Sequence, residues 1–259
     1  MVIKLKISSF LILVIFISTL LGGVLLASQM KDGKMFRGLS AAIIQPVLAE
    51  EMYPMFLCPC CGKPLDKNEI CCGMAEERIK YVDSIVKPGV SKDEIILAYV
   101  KKYGLSSFAD QNLAKEFKER IASQAPTDRP VITLSPASFD FGDVSQKKGT
   151  VSTVFELRNE GEKDLIINKL ETSCGCTTAA IIFEGKEGPK FGMPGHGLNE
   201  NAGDWQAVIP AGGQAQLKVY YDPNVHKDFR GAATREISVF SNDPIDFEKK
   251  VQVDLTQID

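Results

Sequence analysis

Five cysteines lie close together in the segment 58–72, which reads CPCCGKPLDKNEICC. They are Cys58, Cys60, Cys61, Cys71 and Cys72. Thiolates are good ligands for zinc and Cu(I), and paired thiols carry out thiol–disulfide exchange. Few other kinds of site need so many cysteines so near one another. The segment therefore predicts a site whose chemistry depends on sulfur.

Three interpretations of this segment stay open. In the first, the five thiols bind zinc or copper, with Cys58 and Cys61 joined by Cys71 or Cys72 in a tetrahedral thiolate site. In the second, Cys58 and Cys61 form a redox dithiol, in which one thiol attacks and the other resolves the mixed disulfide. In the third, the cysteines form disulfides that hold a small module together.

A second group of sulfur ligands is predicted near Cys174 and Cys176, which follow a predicted strand. A C-x-C pair can present two thiolates to one ion. The long glycine-rich loop 185–204 carries Met193 and His196, and a combination of Cys, Met and His suits copper. These four residues are the predicted second metal site, and the alternative is a disulfide that stabilises a loop.

The composition argues against several classes of function. A net charge of −3 gives no electrostatic footprint for nucleic acid. The chain has no P-loop, no nucleophile elbow, no zinc-protease helix motif and no haem-attachment motif. The second of two histidines, His226, lies in a predicted turn and is given no chemical role. A hydrolase or transferase is not expected, and the enzyme activity left open is thiol–disulfide exchange.

The N-terminal sequence predicts a membrane segment. Lys4 and Lys6 precede an uncharged and largely apolar run at residues 7–30, which is long enough to span a bilayer as a helix. The flanking lysines place the N-terminus in the cytoplasm and the bulk of the chain on the periplasmic or cell-surface side. The alternative is a cleaved signal peptide, which gives the same compartment. Residues 31–55 are predicted to form a tether.

Helical periodicity follows the cysteine cluster. Apolar residues recur at helical spacing in residues 73–87, 92–103 and 108–123, and each segment is predicted to form a helix. Ser91 and Glu94 form the pattern of a capping box, in which each residue satisfies a backbone amide of the other. The cluster is therefore expected to open a small helical module.

The same region resembles the periplasmic thiol domain of the CcmH/CycL family of cytochrome c maturation proteins. The resemblance rests on Leu57, Cys58, Pro59 and Cys61, and then on residues 91–96 with Tyr103 and Gly104. It implies a helical scaffold. It also implies that Cys58 and Cys61 are a redox pair that acts on the thiols of an apocytochrome.

The rest of the chain has the pattern of a β-sandwich. Residues 124–130 (QAPTDRP) form a polar, proline-containing linker, after which apolar residues recur at every second position. Short strands separated by turn residues predict an antiparallel sandwich. The predicted strands are residues 131–134, 151–158, 164–171, 177–183, 205–209, 215–221, 234–241 and 247–255.

Four motifs in this region, taken in order, resemble the DUF1573 family of immunoglobulin-like domains. They are FDFGDV at 139–144, FELRNEG at 155–161, SCGCTT at 173–178 and VFSND at 239–243. The resemblance covers nearly all of residues 131–259. It implies an immunoglobulin-like fold and a location outside the cytoplasm, and it brings no activity with it.

The sequence thus predicts an α+β protein of two domains. The segments are a membrane anchor or signal (1–30), a tether (31–55), a cysteine-rich helical module (56–123), a linker (124–130) and an immunoglobulin-like sandwich (131–259). The expected function is handling of soft metal, zinc or copper, or of thiols, in service of a maturing metalloprotein or cytochrome. The alternatives are an oxidoreductase that uses Cys58 and Cys61, and a non-catalytic protein with disulfide staples. Expected partners are the membrane and a protein client such as an apocytochrome, without nucleic acid.

Overall fold

The computed structural model describes residues 47–195 and 205–259. Four short α-helices lie in the first part of these described residues. Their bounds are α1 Ala49–Met52, α2 Gly73–Ile85, α3 Lys92–Tyr103 and α4 Gln111–Gln124. Three of them correspond to the helices predicted from periodicity, and α3 has the predicted bounds.

The start of α3 shows why its bounds follow from the sequence. The Ser91 hydroxyl accepts a hydrogen bond from the Glu94 amide at 3.3 Å, and the Glu94 carboxylate accepts one from the Ser91 amide at 2.8 Å. The predicted capping box is therefore confirmed. At the other end, Gly104 adopts φ = 83°, a conformation that favours glycine and ends the helix.

The helices bury a core of aromatic and aliphatic side chains. The Phe56 ring stacks on the Tyr99 ring with centroids 3.6 Å apart, and the Phe108 ring lies 5.7 Å from that of Phe56. Met52 and Tyr53 are also buried in this core. Residues 49–55, expected to be part of a tether, instead form α1 and a 3-10 turn that pack into the helical core.

The remainder of the described chain is a sandwich of two five-stranded sheets. The first has the order β1-β3-β8-β5-β6 and the second the order β2-β10-β9-β4-β7. The strands are β1 Ile132–Ser135, β2 Ser138–Val144, β3 Val151–Asn159, β4 Leu165–Thr172, β5 Thr177–Phe183, β6 Lys186–Glu187, β7 Ala207–Ile209, β8 Gln214–Tyr221, β9 Gly231–Ser241 and β10 Glu248–Gln257. The predicted β-sandwich is confirmed.

Buried and exposed side chains alternate along the strands, and the buried ones form the core of the sandwich. In β3, Phe155 and Leu157 are buried while Glu156 and Arg158 face solvent. All eight predicted strands are present, but β2 and β6 were not predicted. β2 pairs parallel to β10 at a sheet edge and is exposed along most of its length, so it lacks the burial pattern that reveals a strand.

The predicted fold class, in contrast, is wrong. Within the described residues no helix is long and apolar enough to cross a membrane, and the predicted anchor at 1–30 lies outside those residues. The described residues consist of two β-sheets with only four short helices, and these belong to one compact unit.

Specific contacts explain why the helical part and the sandwich form one unit. Phe247, on the turn between β9 and β10, is buried in the core of the helical part. The Lys118 ammonium on α4 donates to the Asp246 carboxylate at 2.5 Å. A β-carbon built on Gly104 would lie 2.1 Å from a carboxylate oxygen of Glu248 in β10, so only glycine permits this close approach.

Candidate metal and thiol centres

The first half of the cysteine cluster is a tight turn. The Cys58 amide donates to the Lys63 carbonyl at 2.8 Å, and the Gly62 amide donates to the Cys58 carbonyl at 2.9 Å. Gly62 has φ = 66°, which the turn needs in order to reverse the chain. The Leu57 amide donates to the Ser107 carbonyl at 2.7 Å, which fixes the turn against the helical part.

The second half of the cluster is the start of α2. Cys72 is the N-cap residue of this helix, and its sulfur accepts a hydrogen bond from the Ala75 amide at 3.4 Å. The Arg78 guanidinium, one turn further on, donates to the Leu57 carbonyl at 2.7 Å. This bond ties the helix to the segment that leads into Cys58, so hydrogen bonds hold both halves of the cluster in place.

The fold brings the five sulfurs of the cluster together. The Cys58 sulfur lies 3.3 Å from that of Cys71 and 3.5 Å from that of Cys72. The Cys61 and Cys71 sulfurs are 3.3 Å apart, and those of Cys71 and Cys72 are 4.0 Å apart. The Cys60 sulfur lies within 4.8 Å of those of Cys58 and Cys72. All five cysteines predicted for this site therefore meet at one place.

These separations can be compared with those of a disulfide and of a tetrahedral thiolate site. A disulfide requires a sulfur–sulfur distance of about 2.05 Å. Four thiolates at about 2.3 Å from a tetrahedral zinc lie about 3.8 Å from one another. The observed 3.3–4.0 Å separations therefore match the edges of a tetrahedral thiolate site. All five cysteines are free thiols.

The cluster has a buried side and an open side. The Cys58 side chain is 2% exposed and belongs to the core of the helical part. Cys72 is half-buried, whereas Cys60, Cys61 and Cys71 are exposed. An ion held here would be anchored from below by Cys58 and accessible from solvent through the other sulfurs.

The surroundings of the thiols shift their pKa values in opposite directions. The Lys63 backbone amide lowers the pKa of Cys61, and the Ala75 backbone amide lowers the pKa of Cys72 to about 7. A hydrogen bond with the Cys72 sulfur raises the pKa of Cys60 to about 11, and one with the Cys58 sulfur raises that of Cys71 to about 12. The backbone amides therefore favour the thiolate form of Cys61 and Cys72, and the neighbouring sulfurs favour the protonated form of Cys60 and Cys71.

At the second predicted site, Cys174 and Cys176 are joined in a disulfide. A disulfide is the alternative to a metal site that the sequence leaves open for this pair. Met193 follows Gly192, whose carbonyl accepts a hydrogen bond from the Thr172 amide at the end of β4, and His196 lies outside the described residues. Copper binding by Cys174, Cys176, Met193 and His196 stays a prediction, which would require the reduced pair.

Two residues without a predicted role contact this disulfide. The His226 Nε2 atom lies 3.2 Å from the Cys174 sulfur, and the Arg235 Nε–H donates to the Cys176 sulfur at 3.2 Å. The pairing of two strands explains why His226 lies close to Cys174. Thr177 of β5 pairs with Tyr221 of β8, which brings the segment after Tyr221 beside the one that precedes Thr177.

An open cavity of about 550 Å³ is lined by residues that contact the disulfide. Val225, His226, Phe229 and Arg235 are among the residues that line it. Two of these, His226 and Arg235, are the side chains that contact the two sulfurs. A molecule in the cavity would therefore meet the residues that surround the disulfide.

Comparison with protein families supports the expectation for the C-terminal part. Residues 132–188 match the model of a family described as a protein of unknown function, DUF1573. The matched range runs from β1 to β6 and contains Cys174 and Cys176. The resemblance of the N-terminal part to the CcmH/CycL family stays a prediction. No curated protein matches the chain significantly.

Several solved structures resemble part of the chain at low identity. A protein of unknown function from Porphyromonas gingivalis is 20% identical over 52% of this chain and 50% of its own, with a TM-score of 0.38. The ASH / PapD-like domain of human CEP192 is 12% identical over 52% of this chain and 90% of its own, with a TM-score of 0.34. The chain thus spans about half of the Porphyromonas protein, and these matches carry no functional argument.

Proposed function

We propose that the cysteine cluster binds one soft metal ion, zinc or Cu(I), through Cys58, Cys61, Cys71 and Cys72. One observation carries this proposal, namely the sulfur separations of 3.3–4.0 Å. Five of the six sulfur pairs in this set, 58–61, 58–71, 58–72, 61–71 and 71–72, lie within 4.8 Å. Four convergent thiols suit a tetrahedral ion of either metal.

Two thiols that accept hydrogen bonds from backbone amides support the assignment of this set as a metal site. The amides of Lys63 and Ala75 each favour the thiolate form of the cysteine that they contact. Such amide–sulfur contacts orient thiolate ligands and balance part of their charge. The remaining negative charge would be compensated by the ion itself.

We propose further that the site handles metal and does not only hold the fold together. A purely structural site is usually closed, whereas here Cys60, Cys61 and Cys71 face solvent. A thiol of a client protein can reach the ion from this side and replace one ligand at a time. Cys60 is left outside the set of four and is placed to receive or release the ion. The partner is therefore expected to be a metalloprotein during its maturation, outside the cytoplasm.

Metal content of matched single variants tests this assignment. Wild-type protein purified without oxygen is expected to contain about one zinc or copper per chain. Cys61→Ser should lose most of it, and Cys60→Ser is the matched control, one residue away and equally exposed, that should keep it. Equal loss in both variants would show that the ligand set is wrong. Wild-type protein that is purified without metal and then binds neither zinc nor Cu(I) when these are added would overturn the proposal.

A second candidate function rests on the contrast between Cys58 and Cys61. Cys61 is exposed and has a lowered pKa, as an attacking thiol requires, and Cys58 is buried beside it, as a resolving thiol can be. In this case the protein is a thiol–disulfide oxidoreductase. Metal-free protein in which these two thiols oxidise reversibly to a disulfide, with turnover of a dithiol client, would favour this function over metal handling.

A further inference from the structure

We propose that the Cys174–Cys176 disulfide is a reactive group that exchanges with a dithiol client, with Arg235 and His226 assisting the reaction. This site is separate from the cysteine cluster, and the inference does not depend on the proposed metal function. It rests on how each sulfur is exposed, on which side chain each one contacts, and on the cavity that these two side chains line.

The two sulfurs differ in their access to solvent. Cys174 is half-buried, whereas Cys176 is 2% exposed and packs with Val144, Tyr221 and Leu255. An incoming thiolate can therefore reach only Cys174. Attack at that sulfur makes Cys176 the leaving group, because the new bond forms to Cys174 and the bond between the two cysteines breaks.

The leaving sulfur is the one with a cation beside it. The Arg235 Nε–H already donates to the Cys176 sulfur at 3.2 Å, and the Thr177 hydroxyl lies 3.8 Å from the same sulfur. As Cys176 leaves, it gains a full negative charge, and a charge-assisted hydrogen bond to a guanidinium is stronger than one to a neutral disulfide sulfur. The arrangement therefore stabilises the product of the attack more than the starting state.

The attacked sulfur has a base beside it. The His226 Nε2 atom lies 3.2 Å from the Cys174 sulfur and lines the open cavity, so it can accept the proton of an incoming thiol. Gln257, which is 1% exposed, holds the segment that carries this histidine. Its amide donates to the carbonyls of Pro223 at 3.2 Å and Phe229 at 3.0 Å, and reaches that of His226 at 3.5 Å.

The full exchange balances without any further reagent. The first client thiol forms a mixed disulfide with Cys174 and gives its proton to His226, while Cys176 leaves as a thiolate. The second client thiol then attacks the client sulfur of the mixed disulfide and releases Cys174. The client loses two electrons and two protons and leaves as a disulfide, and the protein ends with both cysteines reduced.

Rates of reduction in the full-length protein test the proposal. Dithiothreitol serves as the dithiol probe, free thiols are trapped by alkylation at intervals, and mass spectrometry quantifies the peptide that contains Cys174 and Cys176. Reduction of folded wild-type protein should follow a single phase. Arg235→Gln should slow it about tenfold, because the leaving thiolate loses a charge-assisted hydrogen bond. Arg158→Gln, on an exposed face of β3, is the matched control and should leave the rate unchanged.

Two further variants separate chemistry from folding. Arg235→Lys keeps the positive charge and should recover part of the rate, which a purely structural role would not require. His226→Gln should slow the reaction, whereas Lys148→Gln, at an exposed position outside the cavity, should not. Equal rates for wild type and Arg235→Gln would overturn the proposal. So would a pair that is reduced only after unfolding, or purified protein in which both cysteines are free and hold copper.

Discussion

The packing of Phe247 makes a quantitative prediction about how the helical part and the sandwich fold together. This side chain comes from the turn between β9 and β10, yet it is 2% exposed and lies in the core of the helical part. Replacing a buried Phe by Ala costs roughly 3–5 kcal/mol, because apolar contacts are lost and a cavity remains. With a urea m-value of roughly 2–3 kcal/mol/M, Phe247→Ala should lower the unfolding midpoint by about 1–2.5 M.

Two probes can follow the helical part and the sandwich separately. Far-ultraviolet circular dichroism reports mainly on the helices. Fluorescence reports on Trp205, the only tryptophan, which packs on Phe191 in the sandwich with ring centroids 4.9 Å apart. Because the described residues belong to one compact unit, the two transitions should coincide in wild-type protein and should shift together in Phe247→Ala.

A matched substitution provides the control. Phe139 on β2 is 38% exposed, so Phe139→Ala removes the same atoms from a site where they are partly solvated. Its midpoint should change by much less than that of Phe247→Ala. The reasoning is refuted if Phe247→Ala shifts the dichroism transition and leaves the Trp205 transition in place, since the sandwich would then unfold independently of the helices.

Three other predictions follow from local contacts. If the cluster binds metal as thiolates, Cys71, whose pKa is about 12, must lose a proton on binding, so affinity should rise at least about tenfold per pH unit, and more if other ligands also lose protons. Chelator competition at several pH values checks this, and a flat profile contradicts thiolate ligation. Burial raises the pKa of Glu248 in the folded protein. The stability contributed by its protonated form is therefore present at low pH and is lost as the pH rises through the folded-state pKa. Glu248→Gln should raise the melting temperature at neutral pH, and no such gain should appear at low pH. Ser91→Ala removes the cap of α3 and should cost about 1 kcal/mol in urea unfolding, whereas Ser84→Ala, whose hydroxyl is not at a helix start, should cost less.

The elements that could be predicted are those whose signals are local. The bounds of α3 follow from Ser91, Glu94 and Gly104, which lie at its two ends. Strand β5 has the predicted bounds because its apolar residues are buried along almost its whole length. Convergence of the five cysteines in 58–72 was also predictable, since a short segment can hardly separate them.

The rest depends on contacts between residues that are distant in the chain. No residue near Phe247 in the sequence indicates that its side chain packs in the core of the helical part. The sequence therefore predicts two separate domains. The sequence predicts His226 as a turn residue without a chemical role. Its contact with Cys174 arises only from the pairing of β5 with β8. The sulfur separations within the cluster likewise need the structure, because the spacing of the cysteines does not determine them.

The position of Cys72 at the start of α2 has a practical consequence. Its sulfur accepts a hydrogen bond from the Ala75 amide and also belongs to the cysteine cluster. Hydrogen–deuterium exchange at this single amide is therefore a built-in reporter of the state of the cluster. A bound ion would fix the sulfur in place and slow exchange there, whereas oxidation of Cys72 would move the sulfur and speed it. The loading of the site can thus be followed without a dye, a label or a spectroscopically visible metal.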